Sequence, residues 1–119
     1  MTSLNATAPH IRDACRFADL ADRGARPDIV AGAPGSSGRL LHKRPGNSPE
    51  TVARGRTPGR WRPRLPRDEF CHLVRGRARY SSDEGEVIDV APGTCVVFPA
   101  GRSGQAEIFD TIRNVQLLR

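Results

Sequence analysis

The chain is poor in nearly everything that marks a membrane-spanning, disulfide-stapled or nucleic-acid-binding protein. No apolar run approaches the roughly 20 residues that a bilayer span requires, and the opening MTSLNATAPHIRDACRF has no continuous apolar segment that would serve as a secretory signal. Cysteines number three (Cys15, Cys71 and Cys95), odd in count and widely spaced, which fits reduced thiols and a cytoplasmic protein better than a disulfide framework. Aromatic residues make up 5% of the chain and do not interleave with its arginines. Helix-turn-helix, RNA-recognition and zinc-finger patterns are missing as well, so neither nucleic acid nor a membrane is an expected partner.

What is present is punctuation and positive charge. The 119 residues include 12 Gly and 10 Pro, a density that favours short strands and turns over long helices. The formal net charge is +6, carried almost entirely by Arg, and nine arginines fall between Arg54 and Arg79 against only Asp68 and Glu69. Such a stretch reads most simply as a solvated sheet face. The sharper reading is an anion site, because guanidinium matches carboxylate or phosphate with a planar fork. With 37% hydrophobic residues the chain can bury one modest core, which makes a homodimer a reasonable expectation.

Residues 1–8 are small and polar, the composition of a frayed end. Ile11, Ala14, Cys15 and Ala18 recur at helical spacing and predict a short helix within Pro9–Arg23. GAPGSSG, Gly32 to Gly38, reads as a loop. From Arg39 onward the pattern is β. RLLHK is a first strand, PGNSPE a turn, and Thr51–Arg56 a strand with Val52 on one face and Thr51 and Ala53 on the other. Trp61 opens RWRPRLPR, a proline-broken edge or loop. Strands follow at Phe70–Arg75, Ala78–Ser81, Glu86–Val90, Thr94–Phe98, Gln105–Phe109 and Asn114–Leu118, with the first of these ending at Gly76. Their separators SDEG, APG and PAGRSG carry turn chemistry. Strands this short and evenly spaced predict a closed or nearly closed antiparallel barrel. The organisation expected is an N-terminal extension over residues 1–28, partly helical, and a barrel over 29–119.

DEFCHLVRGRARY at Asp68–Tyr80 and APGTCVVFPAGRSGQ at Ala91–Gln105, with PGRWR before them, resemble the two signature motifs of the cupin superfamily. The wording is similar to the small single-domain branch that includes the ethanolamine-utilisation cupin and ureidoglycine aminohydrolase. The resemblance covers roughly Ile29 to Leu118 and implies an all-β, single-domain jelly-roll barrel, usually with a metal in its mouth. Glu69 and Gly76 keep the spacing of the first motif, and Gly93, Pro99 and Gly101 that of the second. The implied ligand positions are altered. Counting back from Glu69 puts Arg62 and Arg64 where two histidines stand in the family, and Gly104 stands where a third does. Arginine has no lone pair to give, and glycine has no side chain.

The expectation is therefore a small-molecule-binding cupin without the usual metal, a divalent ion being the less favoured alternative. Trp61, Arg62, Arg64, Glu69, Cys71 and Gln105 are the candidate ligand-binding residues, for a small polar or anionic metabolite. An enzyme of the same branch, acting on a small nitrogenous or carbonyl metabolite with Glu69 as catalytic acid or base, is the second reading. A structural or regulatory module is the third, using Phe70, His72 and Val74. Alternation puts these three on the outer face and Glu69, Cys71 and Leu73 on the inner one.

Overall fold

The computed structural model describes residues 7–16, 18–46 and 49–119. The described residues form nine strands: β1 (Ala21–Ala25), β2 (Ile29–Gly32), β3 (Gly35–Lys43), β4 (Glu50–Arg56), β5 (Gly59–Trp61), β6 (Glu69–Ser82), β7 (Val87–Val90), β8 (Cys95–Phe98) and β9 (Gly104–Leu118). All pairings are antiparallel within one sheet. The fold is all-β, as the sequence pattern and the implied jelly-roll require.

Two long strands organise the sheet. β9 pairs with β6 along one edge, and with β5 and then β4 along the other. β6 in turn pairs with β8 through Glu69–His72 and with β7 through Ala78–Ser81. The β6–β9 register slips three times between Leu73 and Ala78. Such bulges bend a strand and increase its twist. The bend folds one half of the sheet over the other and produces a curled half-barrel. Between the halves lies a core of Trp61, Leu73, Ala78, Val90, Ala106, Ile108 and Ile112.

Several expectations change here. Gly76 does not end a strand, so the predicted strands Phe70–Arg75 and Ala78–Ser81 are one element. Gly76 sits inside β6 at φ +83°, where an added Cβ would lie 2.9 Å from the Asp110 carbonyl oxygen and closer still to that of Thr111. Only glycine accepts both the left-handed backbone and that approach. Likewise Gln105–Phe109 and Asn114–Leu118 are the two ends of β9. Gly35–Gly38, expected as loop, pairs with β1 and β4, because two neighbouring strands satisfy its backbone. No helix occurs among the described residues of Pro9–Arg23: residues 14–16 form a turn, and Ala21–Ala25 pairs with β3 instead. An isolated helix that short is marginal in water, and Ala21–Ala25 instead gains ladder pairing with β3 along one edge. Residues 1–6 and the tip of PGNSPE, Asn47 and Ser48, lie outside the described residues.

Candidate functional site

On the concave side of the half-barrel is a cavity of about 230 Å³. Its floor follows from strand alternation. On β4 the face that carries Val52 also carries Arg54 and Arg56. On β6 the corresponding face carries Glu69 and Cys71, and on β9 it carries Gln116 and Leu118. The register sets Gln116 opposite both Val52 and Cys71, and Leu118 opposite Glu69. Trp61, Tyr80 and Phe98 close one side. The segment Pro63–Arg67 and Arg102 form the rim.

Three guanidinium groups reach this space from different elements. Arg54 and Arg56 come from β4, and Arg26 from the turn after β1. Arg26 and Arg56 lie 5.8 and 5.6 Å from the centroid of the Trp61 ring, within cation–π range. Arg56 donates from Nη1 to Ser36 Oγ at 2.5 Å. Among the described residues none of the three has a carboxylate within 4.0 Å. Burial, with Arg26 and Arg54 nearby, pushes the Arg56 pKa down to about 10. Burial and then Arg54 lower that of Arg26. The cavity thus holds positive charge that folding has desolvated and left mutually repelling.

Glu69 faces the same space. Burial raises its pKa, opposed by Arg54, Arg56, Arg67 and Arg26 in that order. Cys71 lies beneath, buried, and accepts hydrogen bonds from Gln116 Nε2 at 3.1 Å and Asn114 Nδ2 at 3.4 Å. Burial pushes its thiol up to about 11, so it is not an activated nucleophile.

The structure gathers Trp61, Arg64, Glu69 and Gln105 around the cavity and puts Cys71 under its floor. Arg62 is elsewhere: its Nη2 donates to Asp83 Oδ2 at 2.6 Å at the surface, and it does not line the cavity. Arg64 reaches the rim but is 80% exposed and bound to Asp28 at 3.0 Å. Pro63 and Pro66 keep this segment out of the sheet, so counting from Glu69 places both arginines on a loop. The arginines that matter were legible elsewhere: extending the Val52 alternation by two and four residues puts Arg54 and Arg56 on its face. Arg26 lies in the part expected to be an extension and carried no such signal.

A divalent ion here would require three or four converging imidazole, carboxylate or thiolate ligands. Among the described residues no three His, Cys, Asp or Glu side chains gather to hold one. Among the described residues Glu69 is the single carboxylate on the cavity wall, and four arginines, Arg54, Arg56, Arg67 and Arg26, act on it. At Gly104 even a Cβ would strike the Ser81 carbonyl, so this backbone has no room for an imidazole. The residues present do not fit a metal centre.

Residues 45–115 match the family model of the EutQ-like cupin domain. Solved structures share the fold. A putative ethanolamine utilization protein Q from Salmonella typhimurium superposes with TM-score 0.63 at 19% identity, covering 80% of this chain and 72% of its own. A protein of unknown function of the DUF861 family, from Pseudomonas syringae pv. tomato, gives 0.78 at 17% identity over 87% of this chain and 46% of its own. KdgF from Halomonas sp. gives 0.62 at 15% identity over 85% and 86%. No curated protein matches the sequence.

Proposed function

The chain belongs to the EutQ-like cupin domain family, and from that membership we propose that it is a metal-independent binding protein for a small anionic metabolite. The observation that carries this reading is the convergence of Arg26, Arg54 and Arg56 on one cavity with no carboxylate within 4.0 Å among the described residues. An incoming carboxylate would relieve the repulsion among them and accept bidentate hydrogen bonds in a partly desolvated site. Arg64, Arg67 and Arg102 at the rim, each paired with a carboxylate (Asp28, Glu50 and Glu86), would attract the anion without holding it.

The test is titration of the purified protein with small carboxylates, read by calorimetry and by the fluorescence of its single tryptophan, Trp61. Saturable binding is expected, weakened at least tenfold in Arg54→Met, since a charge-assisted hydrogen bond contributes about 1.5–3 kcal/mol. Binding that is absent, or unchanged in Arg54→Met, contradicts the reading.

The raised pKa of Glu69 favours a second reading, an enzyme with Glu69 as acid or base. Turnover of a carbonyl or nitrogenous metabolite that collapses in a folded Glu69→Gln variant would establish it; tighter anion binding by that variant without turnover supports the binding protein. The working unit is proposed to be a cytoplasmic homodimer. In support, Phe70 and Val97, paired across β6 and β8 on the convex face, are 41% and 59% exposed.

A further inference from the structure

Four residues of the cavity wall carry buried polar atoms with no hydrogen-bond partner among the described residues: Arg26 Nε, Arg54 Nε, Trp61 Nε1 and Gln116 Oε1. Unpaired buried polar groups are rare, because each forfeits its hydration. The two guanidinium nitrogens belong to the anion site proposed above, on which this inference rests. Of the other two, the Trp61 N–H can be met by a carboxylate oxygen, whereas Gln116 Oε1 needs a donor, which a bare carboxylate does not supply. Trp61 is 2% exposed and its indole can only donate. Gln116 is 5% exposed and has one end of its amide engaged by the Cys71 sulfur.

The amide's orientation does not remove the demand. Cys71 is contacted by both Gln116 and Asn114, and a thiol has one hydrogen to give. Whichever way round Gln116 lies, one end meets the sulfur and the other is left over, as carbonyl or as NH₂. A hydroxyl serves either case, since it both donates and accepts; an ammonium serves only the carbonyl, and a carboxylate only the NH₂.

Position completes the argument. Gln116 is opposite Val52 and Cys71, so Arg54, two residues after Val52, and Glu69, two residues before Cys71, are its diagonal neighbours on either side. Diagonal positions on one face lie about 7–8 Å apart, within side-chain reach of one small molecule. The floor reads Arg54, Gln116, Glu69 across three adjacent strands.

We propose that the cavity selects a hydroxylated carboxylate, the carboxylate held by Arg54 and Arg56 and the hydroxyl by Gln116. Gln116 is then the residue that distinguishes a hydroxy acid from the corresponding plain acid.

The experiment titrates the intact protein with two matched pairs, malate against succinate and lactate against propionate, read by Trp61 fluorescence and calorimetry. The native protein is expected to bind the hydroxylated member of each pair about tenfold more tightly, the size of one well-made buried hydrogen bond. In Gln116→Met that preference shrinks to about twofold or less while carboxylate binding persists. Gln116→Asn, which keeps the amide but shortens it, behaves likewise and guards against a methionine variant that does not fold. Equal affinities within both pairs for the native protein overturn the inference and leave the anion site standing. A preference that survives in both variants removes Gln116 from the role. If none of the four acids binds, the inference and the anion site fall together.

Discussion

Arg56 is charged at some expense to the fold. Its pKa in the folded protein, about 10, lies below that of a solvated guanidinium, so folding disfavours its protonated form. The sign follows: the destabilisation is present at every pH below about 10 and fades as pH rises through that value. Arg56→Met, which keeps the stem over Trp61 and removes the charge, is therefore expected to hold or raise the melting temperature of the ligand-free protein at pH 7. The same variant should lose at least about tenfold in carboxylate affinity. A fall of more than about 5 °C, the scale of a 1 kcal/mol loss in a domain this size, would mean that Arg56 serves the fold instead. At this scale the sequence was partly legible. Alternation from Glu69 correctly put Cys71 and Leu73 inward and Phe70 outward. It misplaced Arg62 because a spacing count presumes a continuous strand, whereas Pro63 and Pro66 turn that segment into a loop whose arginines find surface carboxylates.

At the scale of elements, β6 and β9 decide the shape, and Gly76 decides how they bend. The sequence pattern ends a strand at Gly76, whereas the glycine is a bulge inside β6. Local composition is the same for a strand end and a bulge, and only the pairing of Arg75 and Arg77 with Arg113 and Asp110 distinguishes them. Gly76→Ala adds a Cβ against the Asp110 and Thr111 carbonyls at a left-handed φ. The expected loss is about 2 kcal/mol or more, combining backbone strain with the clash, measured by denaturant unfolding. A loss under about 0.5 kcal/mol, the range of an ordinary surface substitution, would show that the bulge is not a fixed feature of the bend. The helix foreseen within Pro9–Arg23 failed for a related reason: periodicity over Ile11, Ala14, Cys15 and Ala18 gives a helix too short to stand alone, and the residues that follow, Ala21–Ala25, pair with β3.

For the whole molecule, the half-barrel leaves an apolar strip on its convex side. Phe70 pairs with Val97 on β8 and with Leu117 on β9, so three apolar side chains adjoin one another on that face. Light scattering is expected to give twice the 13.0 kDa chain mass, and Val97→Asp to give the monomer with the cavity still able to bind. A native monomer would remove the convex face from consideration as a subunit contact. The barrel class was legible as a whole because turn residues at even spacing are a strong signal. The site's chemistry was not, because it depends on which arginines share a face across β4, β6 and β9 and the turn after β1.

The central claim, that guanidinium groups replace a metal as the cationic element of this cavity, is tested most directly by one titration. The native protein, dialysed against EDTA and shown by elemental analysis to be metal-free, is titrated with malate, then again after addition of zinc, nickel or manganese. The account predicts saturable binding in EDTA with an affinity that divalent ions leave unchanged. Binding that vanishes in EDTA and returns with one equivalent of a divalent ion would contradict it.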